Sequence, residues 1–250
     1  LMGIIALLRQ TYLDARWYRD GGHQKECNIS LDAWNKLQPL PQIFETDNAL
    51  GILRADRIGE EYGIQYIFKG SGEEYRYLSE VKAAGGQLIL PIGFPAIPDV
   101  RDPYDALSIP LSTLKHWEAA PANAGLVEKA SIPFALTASG LPKGQDFRAN
   151  LRKAISYGLS EKAALRALTL TPAAMLGVQQ EAGSLKKGCR ANFLICSGNI
   201  FEEHTAIYEN WVGGRRHIIK EKKLVPPDGI YELKASTNEA VNLTITGGPD

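Results

Sequence analysis

The chain has 250 residues, which suits one large domain or two small ones with ample material for a core. Its 28 basic and 28 acidic residues cancel, and no long charge run indicates a nucleic-acid partner. No apolar run reaches the roughly 18 residues that a membrane span needs. The three cysteines form no C-x-x-C pair, so neither a zinc knuckle nor a disulfide framework is indicated.

Apolar residues at helical spacing predict an opening helix over residues 2–18 and a shorter helix over 31–37. The apolar face of the first helix would comprise Ile4, Ile5, Leu7, Leu8, Tyr12, Leu13 and Trp17. A repeated theme of short apolar runs and longer helical segments follows. The expected strands are 42–44, 64–68, 87–90 and 132–136, and the expected helices are 49–62, 73–84, 111–129 and 147–157. Such alternation predicts βαβ units and a parallel sheet, with an irregular proline-rich loop over 91–110.

Two short helices are predicted after the last of these units. Ser160 would cap a helix over 161–170, because its side chain can accept from the first free backbone amides. Thr171 would cap the second helix, with Pro172 at its first position and Gly177 at its end.

Beyond Gly183 the apolar period changes from helical to strand-like. Strands are expected at 192–196, 207–212, 217–220, 230–235 and 240–246, the last two joined by a turn at Thr237-Asn238. The change of period predicts a small β layer packed against the helices and separate from the parallel sheet. Its members would include Leu185, Phe193, Ile195 and Trp211.

The stretches ALTLTPAAMLGV (167–178) and GSLKKGCRANFLI (183–195) resemble the C-terminal end of the amidohydrolase superfamily, and within it the imidazolonepropionase-like proteins. Trp211-Val212-Gly213-Gly214 is similar to a hairpin of the same family. The family usually has an aspartate where this chain has Asn192, a structural position. The resemblance implies an α/β fold. Residues 1–180 would form the later half of a (β/α)8 TIM-type barrel, and 181–250 a small β-rich sandwich part.

The resemblance covers only the later half of a family member. The first barrel strands, which carry the family's H-x-H metal ligands, would lie before Leu1. The opening in mid-pattern and the ending Gly247-Gly248-Pro249-Asp250 favour a piece of a longer polypeptide with a further domain.

Function in such barrels lies at the carboxyl ends of the strands. Glu45, Lys69 and Ser139 follow three of the predicted strands, and the resemblance puts them where the family has histidine, histidine and aspartate. The family uses zinc or another divalent metal to activate water. Glu45, Lys69 and Ser139 do not reproduce the family's two histidines and aspartate, so no metal ligand and no cofactor are predicted. We expect the three residues to lie together at one end of the sheet.

Two other patterns near the strand ends have two interpretations each, and a third set of residues has one. His116 and Glu118 could act as acid and base, or lie on a helix that packs Trp117 inward. Gly70-Ser71-Gly72 could bind an anion with Lys69 nearby, or be a plain turn. Glu45, Asp47 and Lys69 could simply pair with each other.

Two functions from different classes are compatible with this sequence. The chain is either an amidohydrolase-related domain with a degenerate, metal-free barrel that binds a small molecule through Glu45, Lys69, Ser71 and Ser139, or part of a metal-dependent hydrolase acting on C–N bonds in a cyclic amide or peptide-like substrate. The strand-end residues favour the first, and the resemblance alone favours the second.

Overall fold

The computed structural model describes residues 2–221, 229–234 and 240–245. The α-helices are α1 Met2–Arg19, α2 Ile29–Leu37, α3 Ala49–Tyr62, α4 Leu78–Ala83, α5 Pro103–Ser108, α6 Leu111–Ala119, α7 Asn123–Lys129, α8 Phe147–Ser156, α9 Glu161–Leu168 and α10 Leu170–Met175. The strands are β1 Ile43–Glu45, β2 Ile67–Lys69, β3 Gln87–Pro91, β4 Phe134–Thr137, β5 Phe193–Cys196, β6 Ile207–Val212, β7 Arg215–Ile218, β8 Gly229–Lys234 and β9 Ala240–Ile245. Short 3-10 turns occur at Gly22–Gln24, Glu74–Arg76 and Ala120–Ala122.

Strands β1 to β4 form one parallel sheet in sequence order. Glu45 of β1 pairs with Lys69 of β2, which pairs in turn with Ile89 of β3. At the end of β3, Pro91 pairs with Thr137 of β4. The predicted α/β fold with four parallel strands is therefore confirmed, and the four strands end at the same edge of the sheet.

One face of the parallel sheet is packed against the helices and forms the main core. Leu88 and Leu90 of β3 are exposed by no more than 1%. They join a cluster that includes Ile52 of α3, Val127 of α7 and Leu151 of α8. Burying a side chain of this size is worth about 1.5–3 kcal/mol, so this layer supplies much of the driving force for folding.

The opposite face of the sheet carries a smaller apolar cluster, made of Ile67, Ile89, Ala135 and Met175. Successive side chains on a strand point to opposite faces, so Lys69 shares this face with Ile67. Glu45 is paired with Lys69 in register and therefore lies on the same face. Helix α10 covers one end of this face. Glu45 and Lys69 lie at the other end.

Side-chain caps explain where several helices begin. The Asn48 side chain accepts from the Gly51 amide at 2.9 Å, and α3 ends at Gly63 with a left-handed φ of 70°. Ser160 accepts from the Ala163 amide at 3.1 Å, as the sequence predicted for the start of α9. These caps fix the helices that follow the strands.

Helix α1 buries only part of the predicted apolar face. Ile4 and Leu7 are 71% and 68% exposed, whereas Tyr12 and its neighbours toward the sheet are buried. The Tyr12 and Tyr66 hydroxyls are 2.6 Å apart, and burial raises the pKa of Tyr66 well above its ordinary value of 10.0. The predicted apolar stripe is therefore right for Tyr12 and wrong for Ile4 and Leu7, because a ring with a polar tip, and not these aliphatic side chains, forms the contact.

Two segments after β2 and β3 differ from the sequence prediction. The expected helix over 73–84 is split into the 3-10 turn Glu74–Arg76 and the short helix α4. The expected irregular loop over 91–110 contains helix α5, which Asp102 caps by accepting from the Tyr104 amide at 2.8 Å. Proline at the first position of α5 is compatible with a helix start. The other prolines of the segment led to the prediction of an irregular loop.

Helix α10 begins earlier than predicted. Its first residue is Leu170, so Thr171 is not the cap and Pro172 is the third helical residue. The preceding Thr169 has no capping hydrogen bond to α10, and its hydroxyl donates to the Leu165 carbonyl of α9 at 2.6 Å. The helix does end before Gly177, whose φ is 72°.

Strands β5, β6 and β7 form a separate antiparallel sheet, and β8 and β9 form a hairpin. The rings of Phe193 and Trp211 stack across β5 and β6 with centroids 5.4 Å apart. The predicted β layer is thus confirmed for Phe193, Ile195 and Trp211 but wrong for Leu185. That residue lies in the loop before β5 and is 80% exposed, because the turn at Gly183 leaves the chain outside the sheet.

The segment between β5 and β6 packs against the main core. Phe201 is 9% exposed and belongs to the core cluster. Arg148 of α8 donates to the carbonyls of Ile200 and Thr205 at 3.2 and 3.1 Å. The predicted turn at Thr237-Asn238 lies outside the described residues. Across the part of the chain that the structure describes, none of the helices combines the length and apolar character needed to cross a membrane.

Candidate functional site

Three side chains meet where β1, β2 and β4 end. The Lys69 ammonium donates to the Glu45 carboxylate (Nζ to Oε1, 2.5 Å) and to the Ser139 hydroxyl (Nζ to Oγ, 3.0 Å). The prediction that these residues lie at one end of the sheet is confirmed.

Two threonines hold the backbone beneath this cluster. Thr46, which is 7% exposed, donates to the Lys69 carbonyl from its backbone amide at 2.9 Å and from its hydroxyl at 3.1 Å. The hydroxyl of Thr137 accepts from the Ser139 amide at 3.1 Å. The first contact joins neighbouring strand ends and the second is local, and together they fix the backbone of Lys69 and Ser139.

The cluster is open to solvent on one side. The Lys69 side chain is 20% exposed and the Glu45 side chain 69%. Asp47 is exposed too, and within the described part of the chain it forms no ion pair with either residue. The predicted grouping of all three charges is therefore reduced to Glu45 and Lys69. Ion pairs this exposed contribute about 0–1 kcal/mol to stability.

The glycine turn after β2 is occupied by a carboxylate of the chain itself. The Ser71 and Gly72 amides both donate to Oε1 of Glu74, at 2.7 and 3.2 Å. These are the groups that the anion hypothesis assigned to an external ligand. A Cβ on Gly70 would lie 2.2 Å from the same oxygen, so this position needs glycine. The turn therefore holds an internal anion, and the external-anion interpretation is not retained.

Sequence reasoning missed Glu74, which is fully buried. Its second oxygen accepts from Nδ2 of Asn123 at 2.7 Å, and Oδ1 of Asn123 accepts from the Tyr75 amide at 2.8 Å. The available signal was the Ser71-x-x-Glu74 spacing, which is that of a capping box, where a glutamate reaches back to a backbone amide. The Ser71 hydroxyl is buried without a hydrogen-bond partner among the described residues.

His116 is held by residues other than Glu118. Its Nδ1 lies 3.1 Å from the Tyr75 hydroxyl and 3.8 Å from Oε1 of Glu73, and its ring stacks on Tyr75. Glu118 is exposed on α6 and Trp117 is half-buried. The acid–base pair of His116 and Glu118 is not formed, and the alternative with Trp117 turned inward agrees with the structure.

The strand-end cluster does not fit a divalent metal. A catalytic zinc site has three protein ligands drawn from His, Cys, Asp and Glu. Here only Glu45 is of that kind, while Lys69 contributes an ammonium and Ser139 a hydroxyl. Over residues 2–221, 229–234 and 240–245, no group of three such side chains could hold a metal ion.

Comparisons with known proteins now bear on this geometry. Residues 128–222, less than half of the chain, match the sequence model of the Amidohydrolase family. No curated protein is detectably similar in sequence.

Solved structures share the fold at low sequence identity. An amidohydrolase from Thermotoga maritima superposes with a TM-score of 0.67 and 20% identity, over 86% of this chain and 55% of its own. A second amidohydrolase gives a TM-score of 0.51, 17% identity and coverages of 72% and 45%. A prolidase complexed with N-methylphosphonate-L-proline gives 0.51, 13%, 70% and 44%.

The chain spans about half the length of the structures that it matches. At these identities the likeness establishes the fold and not the activity. The four parallel strands with their helices thus correspond to part of the barrel of these amidohydrolases, and the strand-end cluster of Glu45, Lys69 and Ser139 lies at the end where such barrels carry their function.

Proposed function

We propose that this chain is an amidohydrolase-related domain of a longer protein, of the imidazolonepropionase-like branch, with a degenerate barrel that lacks the family's metal site. Residues 1–180 would form the barrel part and 181–250 part of the sandwich. The domain would bind a small molecule through Glu45, Lys69 and Ser139. Ser71, two residues after Lys69 in the chain, is the fourth residue proposed to contribute. The remaining half of the barrel would come from upstream in the same polypeptide.

One observation carries this proposal. The Lys69 ammonium contacts both Glu45 and Ser139, so a positive charge already stands between the two groups that face the strand ends. A divalent ion bound to Glu45 would lie within roughly 5 Å of that ammonium. At an effective dielectric constant of about 20, this repulsion costs several kcal/mol. The Lys69 ammonium thus supplies, at the strand ends, the positive charge that a metal ion would otherwise supply.

A second candidate is part of a metal-dependent hydrolase that acts on C–N bonds. It is favoured by the match of residues 128–222 to the Amidohydrolase family and by the fold shared with an amidohydrolase from Thermotoga maritima. When bound, a divalent metal in such an enzyme activates water. Metal ligands would then have to come from outside the cluster, since Glu45 is its one residue of the right kind.

Metal content distinguishes the two candidates. The purified protein, dialysed against excess zinc and then against buffer, should retain well under one equivalent by mass spectrometry of the metal. Stoichiometric zinc, or amide hydrolysis that a chelator abolishes, would rule out the degenerate site.

A gain-of-binding variant tests the positions themselves. The double substitution Lys69→His with Ser139→Asp adds two zinc ligands beside Glu45 and removes the ammonium, so zinc affinity should rise by at least about tenfold, or 1.4 kcal/mol. The matched control, Lys162→His with Ser131→Asp, changes the same residue types at the amino end of the sheet, near the start of β4. Equal gains in both variants would refute the assignment of the site.

A further inference from the structure

The strand-end cluster has more hydrogen-bond donors than its own residues use. A lysine ammonium has three N–H groups, and those of Lys69 have two acceptors, Glu45 and Ser139. Because the Ser139 hydroxyl accepts from Lys69, its own proton remains free to donate. Neither that proton nor the third Lys69 N–H meets an acceptor among the residues that the structure describes.

Glu45 is the one anionic group that serves these donors, and it is loosely held. Its side chain is 69% exposed, whereas that of Lys69 is 20% exposed. Among the residues that the structure describes, its carboxylate accepts a single hydrogen bond, which comes from Lys69. An exposed pair of this kind exchanges with solvent at little cost, about 0–1 kcal/mol. The less exposed ammonium is thus permanent, and its carboxylate partner is replaceable.

We infer that the cluster binds the carboxylate of a small molecule, which displaces Glu45 from Lys69 and also accepts the proton of Ser139. This deepens the proposed function and rests on it, since a metal at the same place would exclude the ammonium. Of the three proposed residues, Lys69 and Ser139 would contact the bound ligand, and Glu45 would take its place on Lys69 when no ligand is bound. Glu45 itself demonstrates that a carboxylate oxygen fits at 2.5 Å from Lys69. Charge-assisted bonds of an ammonium to a carboxylate are among the stronger hydrogen bonds in proteins.

Competition by Glu45 gives this inference a distinctive signature. Removing the charge of Glu45 leaves Lys69 without an anion and should increase the affinity for an added carboxylate. Loss of function is a common result of substitution, but a gain cannot arise from misfolding. Substitution Glu45→Gln is therefore the decisive variant.

The experiment is a titration of the ¹⁵N-labelled protein with sodium propionate at constant ionic strength, followed by the amide resonance of Gly140. That amide is adjacent to Ser139 and has no hydrogen-bond partner in the described parts of the chain. We expect a saturable shift. Glu45→Gln should tighten binding at least about threefold, Ser139→Ala should weaken it severalfold, and Lys69→Met should abolish it.

Controls separate this site from general charge effects. N-methylpropionamide, which is neutral, should give no saturable shift, and inorganic phosphate should bind more weakly than propionate. Lys162→Met removes an exposed lysine of α9 beside the groove at the amino end of the sheet and should change nothing. Thermal unfolding of each variant verifies that it is folded.

The inference is overturned if propionate gives no saturable shift, if phosphate binds and propionate does not, or if Glu45→Gln leaves affinity unchanged or lower. It also fails if Lys162→Met has the effect of Lys69→Met. If the protein contains no zinc and does not bind propionate, the carboxylate inference is refuted and the proposed metal-free function is not. Stoichiometric zinc refutes the proposed function and this inference together.

Discussion

Two carboxylates near the end of β2 have opposite environments. Glu74 is fully buried and accepts from the Ser71 and Gly72 amides and from the Asn123 side chain. The Glu45 side chain is 69% exposed and accepts one hydrogen bond, from the Lys69 ammonium. The Glu74 carboxylate is enclosed by neutral backbone and side-chain N–H donors. In the described ranges of the chain, the Glu45 carboxylate is held only by the Lys69 ammonium and can dissociate from it.

The difference indicates which of the two groups can serve a ligand. A buried carboxylate without hydrogen bonds would cost several kcal/mol, so the loop, Asn123 and Gly70 are arranged around Glu74 and cannot release it cheaply. Glu45 pays no such desolvation cost and imposes no such arrangement. We therefore assign Glu74 to stability and Glu45 to competition with the ligand for Lys69, and three substitutions test that division.

The largest expected effect is on stability, from Glu74→Ala. Three donors would lose their acceptor in a buried place, and the free energy of unfolding should fall by about 3–5 kcal/mol. Urea unfolding followed by circular dichroism measures it. Glu74→Gln should cost less, about 1–2 kcal/mol, because its oxygen still serves the loop amides while its NH₂ opposes that of Asn123.

The matched control for Glu74→Ala is Glu118→Ala, at an exposed position of α6. It should change the free energy of unfolding by no more than about 0.5 kcal/mol. Equal losses at the two positions would contradict the structural role given to Glu74.

A smaller loss is expected from Gly70→Ala. The added Cβ would stand 2.2 Å from Oε1 of Glu74, so the carboxylate must move away from its two amides. We expect a loss of about 1–3 kcal/mol in the same urea measurement. Gly3→Ala, where nothing lies within 4 Å, should be neutral or stabilising by up to about 1 kcal/mol. A neutral Gly70→Ala would show that the turn is not tightly closed.

The smallest effect on stability is expected from Lys69→Met. The ion pair with Glu45 is exposed on one side, so its loss should change the free energy of unfolding by about 1 kcal/mol or less. A loss as large as that of Glu74→Ala would mean that the strand-end cluster is structural, and the contrast between the two carboxylates would disappear.

The parts of the fold that the sequence predicted have local causes. Helix α3 has the predicted bounds because Asn48 caps its start and Gly63 its end. The convergence of Glu45, Lys69 and Ser139 followed from a general property of parallel strands, whose carboxyl ends share one edge. Neither inference needed any knowledge of distant contacts.

The parts that were missed depend on distant partners. Buried Glu74 accepts a hydrogen bond from Asn123, which lies 49 residues further along the chain. The sequence around Glu74 contains no signal of that contact. Ile4 and Leu7 of α1 are exposed although they were predicted to be buried, and Tyr12 of the same helix contacts Tyr66, which is 54 residues away. Leu185 was assigned to the β layer because the apolar period changes at Gly183, and only the path of the chain leaves it exposed outside the sheet.

The contact of Arg148 with the segment between β5 and β6 has a consequence for the order of folding. The guanidinium reaches carbonyls that follow it by 52 and 57 residues. Closing loops of this length costs more entropy than pairing β1 with β2 or β2 with β3, where Ile43 pairs with Ile67 and Ile67 with Gln87. We therefore expect the antiparallel sheet to dock after these three strands have paired.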